Sequence, residues 1–467
     1  MFSALSPFKK APLPEPPSFL KILGPSFIIL GLGLGSGEII LWPYLVSNFG
    51  LGIIWGAVLG ITFQFFINME IERYALARGE SVFVGFTRMA RFLPFWFIVS
   101  TFIGFGWPGI IAASANVFSI IFGIRDFQYL AIIFLFIIGL ILTLGPILYK
   151  TVERFQKMII TLGVPSLLII TLLIATKEDY LALTKGIIGI GQGYTFLPEG
   201  ISLITFLAAF AFSGAGGNLN LSLSFYVKEK GYGMGRYAHG IQSLITGKVE
   251  EVELEGTTFE LDGHNIANFK KWWKLINLEH LIVFLITGII SIILLALLAF
   301  ATTYGKGGNA PSIDFLVNEA QSIALFVSPL VSVFFLILIG TMLFATQLAV
   351  LDSTSRIISE NLILIHPQKF STRAITKVYY LTLWTQIFFG VGVFISGFKD
   401  PRALVTLAAV INALTMFVHI ALTYLLNTSS LPKALSPSVL RRIIMIAIFI
   451  FFGVFSIYSI YTYFFAS

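Results

Sequence analysis

Glycines at positions 31, 33, 35 and 37 alternate with Leu32, Leu34 and Ser36 and end on an acid, Glu38. A second run, Gly214, Ala215, Gly216 and Gly217, leads into Asn218 and Asn220. Both runs fall in the middle of long apolar stretches. Glycine leaves backbone amides uncovered, and a helix that begins at such a point offers unpaired N–H groups and about half a positive charge to a ligand. The chemistry on offer is recognition of a small ion by Gly35, Ser36, Gly37 and Glu38 from the first run and Ala215, Gly216, Gly217 and Asn218 from the second. Close helix packing through small residues is the competing reading of either run alone. Each glycine costs about 1 kcal/mol relative to alanine in a helix interior, and unpaired backbone in lipid costs more. Two such runs at matching positions therefore favour a site over packing.

The elements that must position these runs are membrane spans. The 467 residues are 57% hydrophobic and 11% charged, with a mean hydropathy of +0.91, against roughly 25% charged residues in a soluble domain. Apolar runs long enough to cross about 30 Å of hydrocarbon predict helices near 24–46, 52–74, 94–121, 129–148, 155–176, 201–226, 276–303, 325–350, 375–397, 403–427 and 441–465. These are spans 1 to 11. With the N-terminus inside, 24 of the 30 basic residues fall on the cytoplasmic side and 6 on the other. The positive-inside rule thus predicts a multi-pass protein of the cell (inner) membrane, N-terminus cytoplasmic and C-terminus extracytoplasmic.

Other classes recede. The net charge of +7 resides in short loops, where Lys and Arg set topology, so nucleic acid is not an expected partner. Cysteine is absent, which excludes disulfides and thiolate metal sites. The first twenty residues lack the apolar core of a cleavable signal. No phosphate-binding glycine loop is present, and no cofactor is expected. No cluster of His, Asp and Glu and no activated nucleophile shows among the spans, so an enzyme is not expected; an ion channel, which would need a continuous polar pore, is the second alternative to a transporter.

Five spans separate the two glycine runs, so helices of opposite direction carry the same interruption at the same depth, the pattern of an inverted repeat with its site at the midplane. The predicted organisation is a cytoplasmic segment 1–23, a first repeat 24–176, an extracytoplasmic loop 177–200, a second repeat 201–427, and a linker with span 11 at 428–467. A cytoplasmic insertion near 227–274 interrupts the second repeat. Within it, alternation over 249–261 predicts a hairpin turning at Glu255 and Gly256, and Phe269, Trp272 and Trp273 beside three lysines predict an interfacial approach to span 7.

At Gly24 and Pro25 opening span 1, at Arg78, Gly79 and Glu80 after span 2, and at Asn218, Leu219 and Leu221 after the second glycine run, the chain resembles the Nramp family of proton-coupled divalent-metal transporters. The resemblance covers spans 1 to 11. It implies an all-α LeuT-type fold with a 5+5 inverted repeat and discontinuous helices 1 and 6. Where that family has Asp-Pro-Gly-Asn, this chain has Gly35, Ser36, Gly37 and Glu38. The family's Met-Pro-His motif corresponds to Ala215, Gly216 and Gly217. A transition ion needs carboxylate and soft donors, and these are missing at the matched positions. So is the family's acidic proton route in span 3.

The expected function is therefore secondary transport of a small inorganic ion by alternating access. The second halves of spans 1 and 6 are expected to begin near Ser36 and Gly217 and to turn bare amides to the cavity, which suits an anion. Bicarbonate fits better than chloride, because its oxygens accept from amides while its hydroxyl donates. The chain looks like a bicarbonate-transporting branch related to Nramp. A divalent-metal importer (Mg²⁺ or Mn²⁺) with an altered site, built on Glu38, Asn218 and Gln347, is the alternative. Glu38 has three open roles: coupling to Na⁺ or H⁺, capping the local helix end, or metal ligation. Asn220, Ser222, Thr346, Gln347 and Asn412 are second-tier contacts. Asp352 with Arg356, and Glu70 and Glu72 with Arg73, are expected to pair at the inner ends of spans 8 and 2. Isolated His280 and His419 read as structural, and Trp107, Pro108 and Gly109 as a kink in span 3.

Overall fold

The computed structural model describes residues 7–145, 147–238, 240–241, 254–309, 313–365, 374–397 and 400–465. Among them, ten helices are long and apolar enough to cross a bilayer: Pro25–Phe49, Leu51–Arg78, Leu93–Phe122, Phe127–Leu144, Leu148–Ile174, Gly263–Thr303, Pro329–Ile365, Ile375–Ile395, Arg402–Ser429 and Val439–Ser459. These are spans 1 to 5 and 7 to 11. Span 6 is the eleventh. It runs as an α-helix over Leu203–Ala211, loses helical form, and resumes as a 3₁₀ stretch Gly217–Ser222 and an α-helix Leu223–Lys230. The chain is a multi-pass membrane protein.

The bundle is built around span 1, which contacts spans 5, 6, 7, 8 and 10. Its residues from Ile28 to Leu34 are buried. The glycine spacing follows from this encirclement, because residues two apart in a helix face nearly opposite directions. A methyl group on Gly33 would stand 2.6 Å from the Gly214 Cα of span 6, and one on Gly35 2.6 Å from Thr346 of span 8. One on Gly31 would strike Gln156 of span 5, and one on Gly37 the Phe212 carbonyl of span 6. Each glycine admits a different neighbour.

The two interruptions take different forms. In span 1 the α-helical ladder gives way to a π-helix over Leu34–Leu41 and then resumes over Trp42–Phe49, with the Trp42 N–H bonded back to the Gly37 carbonyl. The expectation of bare amides near Ser36 is therefore corrected: the wider π turn keeps the backbone bonded through the glycine run. In span 6 the chain truly unwinds. Gly214, Gly216 and Gly217 have φ of +123°, +70° and +51°, a region side chains resist.

Span 3 carries a third interruption. Its helices, Leu93–Phe105 and Gly109–Phe122, meet at Pro108 as expected from the missing proline N–H. Spans 7 and 8 exceed their predicted limits. Span 7 begins at Gly263, with Phe269 and Trp272 buried and the Trp272 indole N–H donating to the Pro14 carbonyl at 2.7 Å. These rings dock the N-terminal segment instead of floating at an interface. Trp273 takes the Arg73 guanidinium over its ring at 3.8 Å. Part of the predicted 249–261 hairpin lies outside the described residues, and Thr257–Thr258 pairs in parallel with Lys9–Lys10.

Candidate functional site

The break in span 6 is held by a residue of span 2. The Gln64 side chain donates to the Ala211 carbonyl at 2.9 Å and accepts from the Gly216 N–H at 3.1 Å. One buried carboxamide thus satisfies the last carbonyl before the break and the first amide after it, both of which would otherwise be orphaned in lipid. Sequence reasoning passed over Gln64. Its signal was available, since Gln64, Asn68 and Glu72 recur every four residues along one face of span 2.

Beyond Gln64 the second half of span 6 opens at Gly217, and its first internal bond runs from the Leu219 N–H to the Gly216 carbonyl at 3.2 Å. The Gly217 and Asn218 amides precede that bond, as at any helix start. Uncharged side chains surround them. Asn218 Nδ2 donates to Ser100 Oγ at 2.8 Å and to Thr101 Oγ1 at 3.0 Å, both on span 3. Asn412 of span 10 donates its Nδ2 to the Gly104 carbonyl at 2.9 Å, just before the kink of span 3. A methyl group on Gly217 would collide with Asn412 Oδ1. The oxygens Asn218 Oδ1 and Asn412 Oδ1 are buried without hydrogen-bond partners. Three interrupted or facing helices therefore converge on one polar, uncharged locus.

A narrow cavity adjoins it, lined by Gly104, Phe105, Trp107, Phe212, Gln347 and Leu404 among others, with about 10 Å³ of room for water-sized molecules. That is about enough for one water. Gln347 faces this space. Thr346 does not, for its hydroxyl donates to the Gly31 carbonyl at 2.8 Å and tethers span 8 to span 1.

Glu38 turns to span 7. Its carboxylate accepts from Ser291 Oγ of span 7, and its other oxygen, Oε1, is buried without a partner. Gly35 and Gly37 are packing positions against spans 8 and 6. Ser36 lies in the π segment, with its side chain outside the described residues. Ala215 is buried in the unwound stretch. Asn220 is buried with neither side-chain atom partnered, and Ser222 donates to the Leu219 carbonyl at 2.6 Å. Of the predicted set, the structure gathers Gly216, Gly217, Asn218 and Asn412, while the Glu38 carboxylate is bonded to Ser291 of span 7.

Span 10 continues the polar lining. Asn412, His419 and Thr423 are fully buried on one helical face, with the His419 ring against the backbone of Gly217 at the break and the Thr423 hydroxyl without a hydrogen-bond partner. The sequence showed His419 as an isolated residue; its face becomes visible only when the helix is docked.

Further along span 8 and at the end of span 2, charges are paired. Asp352 bonds Arg356 at 2.9 Å as expected, and Arg356 also reaches Glu229 of span 6. Tyr226 and Tyr379 donate to Asp352 at 2.9 and 2.8 Å. Glu70 pairs with Arg73 at 2.7 Å. Glu72 does not join that pair; it faces His280 of span 7, its Oε1 lying 3.7 Å from the ring's Nδ1.

No protein-family profile matches the sequence, and no curated protein does. Solved structures do match in fold. A mutant of the manganese transporter of Eremococcus coleocola superposes with a TM-score of 0.69 at 14% identity, over 97% of this chain and 90% of that one. The same transporter bound to an aromatic bis-isothiourea substituted compound gives 0.68 at 14% identity, covering 99% and 91%. MhsT in complex with L-phenylalanine gives 0.51 at 15% identity, over 92% and 96%. The chain thus has the LeuT-type fold of these transporters, with its 5+5 repeat and with interrupted spans 1 and 6 at the centre.

Proposed function

We propose that this protein is a secondary transporter that moves a small inorganic anion by alternating access, with bicarbonate the best-fitting substrate. The reading rests on one observation: the Gly217 and Asn218 amides, which precede the first bond of the second half of span 6, stand with two unpartnered acceptors, Asn218 Oδ1 and Asn412 Oδ1, and the side chains bonded at the break are uncharged. A helix N-terminus attracts an anion, and the paired acceptors answer a hydroxyl. Bicarbonate carries both features, whereas chloride has no hydrogen to donate. The substrate-binding groups are then Gly216, Gly217, Asn218 and Asn412, with Asn220 and Gln347 next to them. Glu38 and Ser291 form the place for a coupled Na⁺ or H⁺, the Glu38 carboxylate being bonded to span 7 and not to the groups of the break.

A second reading, divalent-metal import, draws on the unpartnered Glu38 Oε1 and on the manganese named for two of the structural neighbours. Proteoliposomes separate the two. The anion reading expects bicarbonate-dependent alkalinisation of the lumen, lost in Gly217→Ala and altered in its dependence on a Na⁺ or pH gradient in Glu38→Gln. Saturable Mn²⁺ or Mg²⁺ uptake without that alkalinisation would overturn it.

A further inference from the structure

We infer that the chain holds a second ion site, built from Glu72 of span 2, Glu279 and His280 of span 7 and Ser26 of span 1, which takes a first-row divalent transition ion. The site is independent of the proposed anion locus. One ligand atom from each of Glu72, Glu279 and His280 lies within 4.8 Å of the others, and the three residues and Ser26 are completely buried.

The groups are oriented toward a common centre. Ser26 Oγ donates to Glu279 and lies 2.7 Å from His280 Nδ1, while Glu72 Oε1 lies 3.7 Å from the same nitrogen. The backbone N–H of Gly24 donates to the other oxygen of Glu279 at 3.4 Å. Neither oxygen of Glu72 has a hydrogen-bond partner. A buried carboxylate aimed at an imidazole and a second carboxylate, with no hydrogen bond of its own, has both oxygens free to ligate a cation.

Charge and donor type specify the ion. Two carboxylates are neutralised by a divalent cation, and an imidazole nitrogen in the set favours transition ions over Na⁺, Mg²⁺ or Ca²⁺. Such an ion sits about 2.0–2.2 Å from N and O ligands, so opposite ligands span roughly 4.2 Å, and the set must close by about half an ångström. The imidazole is already placed: Phe284 stacks on it at 4.6 Å and Phe65 at 5.6 Å. The rings hold its orientation where a hydrogen bond from the second nitrogen commonly does so, and His280 Nε2 has no partner.

A layer of paired charges lies next to the site. Glu153 binds both Lys157 and Lys230 at 2.6 and 2.7 Å, and both lysines also donate to the Leu23 carbonyl. The lysines are partly exposed. A methyl group on Gly24 would stand 2.5 Å from both Glu153 and the Tyr149 hydroxyl, so this layer abuts the backbone that bonds Glu279.

The test uses chelator-stripped full-length protein in nanodiscs titrated with Zn²⁺, with Mg²⁺ as control. One Zn²⁺ per chain is expected, with affinity reduced about tenfold or more in Glu72→Gln and in His280→Ala. X-ray absorption at the zinc edge of the unmodified protein should show one imidazole in an oxygen shell, a readout that does not depend on either variant folding. Absence of stoichiometric Zn²⁺ binding, a shell without imidazole, or binding lost in Glu38→Gln but kept in Glu72→Gln would each overturn the assignment. Failure of bicarbonate transport would leave it standing, since the two loci share no residue.

Discussion

Gly217 has a left-handed φ of +51°, and the Asn412 carboxamide occupies the direction in which a side chain would project. Alanine there incurs about 1–2 kcal/mol of backbone strain and displaces Asn412 from the Gly104 carbonyl. Gly217→Ala is therefore expected to fold with a lowered melting temperature in detergent and to lose transport; unaltered flux would remove Gly217 from the site. Gln64 makes a different prediction. Gln64→Leu keeps the volume but strands the Ala211 carbonyl and the Gly216 N–H, at about 1–3 kcal/mol for each buried orphan. It should be the more destabilising of the two by thermal unfolding, and equal stability to the parent would show the bridge to be dispensable. Gln64 was hard to find in the sequence for a physical reason: a polar residue mid-span is read against its neighbours along the chain, whereas its partners are 147 and 152 residues away. Glu38 was conspicuous because an acid in an apolar run stands out. Its turn toward Ser291 depends on the π segment, which no local pattern displayed.

Among the elements, number and order were legible because hydrocarbon thickness imposes them: ten crossing helices and the interrupted span 6 overlap the apolar runs, although spans 7 and 8 run well past their predicted limits. Their interruptions were legible only as weak points. Glycine permits a break, close packing or a π turn alike, and the neighbours choose: span 1 is enclosed by five spans and stays bonded as a π-helix, while span 6 finds Gln64 to bridge it and unwinds. Proline removes a specific donor, so the kink at Pro108 was readable outright. Within the charged cluster, Arg356 joins span 8 to the second half of span 6 through Glu229, and Asp352 on its own helix takes hydroxyls from Tyr226 and Tyr379. Removing one partner of a buried ionic cluster costs about 3–5 kcal/mol. Arg356→Gln is accordingly expected to lower thermal stability more than Lys433→Gln, an exposed position, and to loosen this region, which protease protection would register. A loss no greater than that of the surface variant would mean the cluster does not hold span 6 to span 8.

For the molecule as a whole, the repeat architecture followed from two similar lesions five spans apart, and the matched structures bear out the fold. Function is less legible at this scale, because one bundle serves many substrates and the residues that select among them meet only after folding. Orientation rests on charge alone: 24 basic residues assigned to one side against 6 on the other. The geometry fixes what must be opposite. Lys185 lies in the helix Lys177–Ile187 against the Leu51 end of span 2, whereas Lys433 follows span 10 near Ser430, whose carbonyl accepts from Arg78 at the far end of span 2. Both lysines are exposed, and the chain has no cysteine to give background. In intact cells a membrane-impermeant maleimide is expected to label Lys185→Cys, and to label Lys433→Cys only after permeabilisation. The reverse pattern would invert the topology, and would place the Lys157 and Lys230 layer, and the ion site next to it, on the extracytoplasmic face.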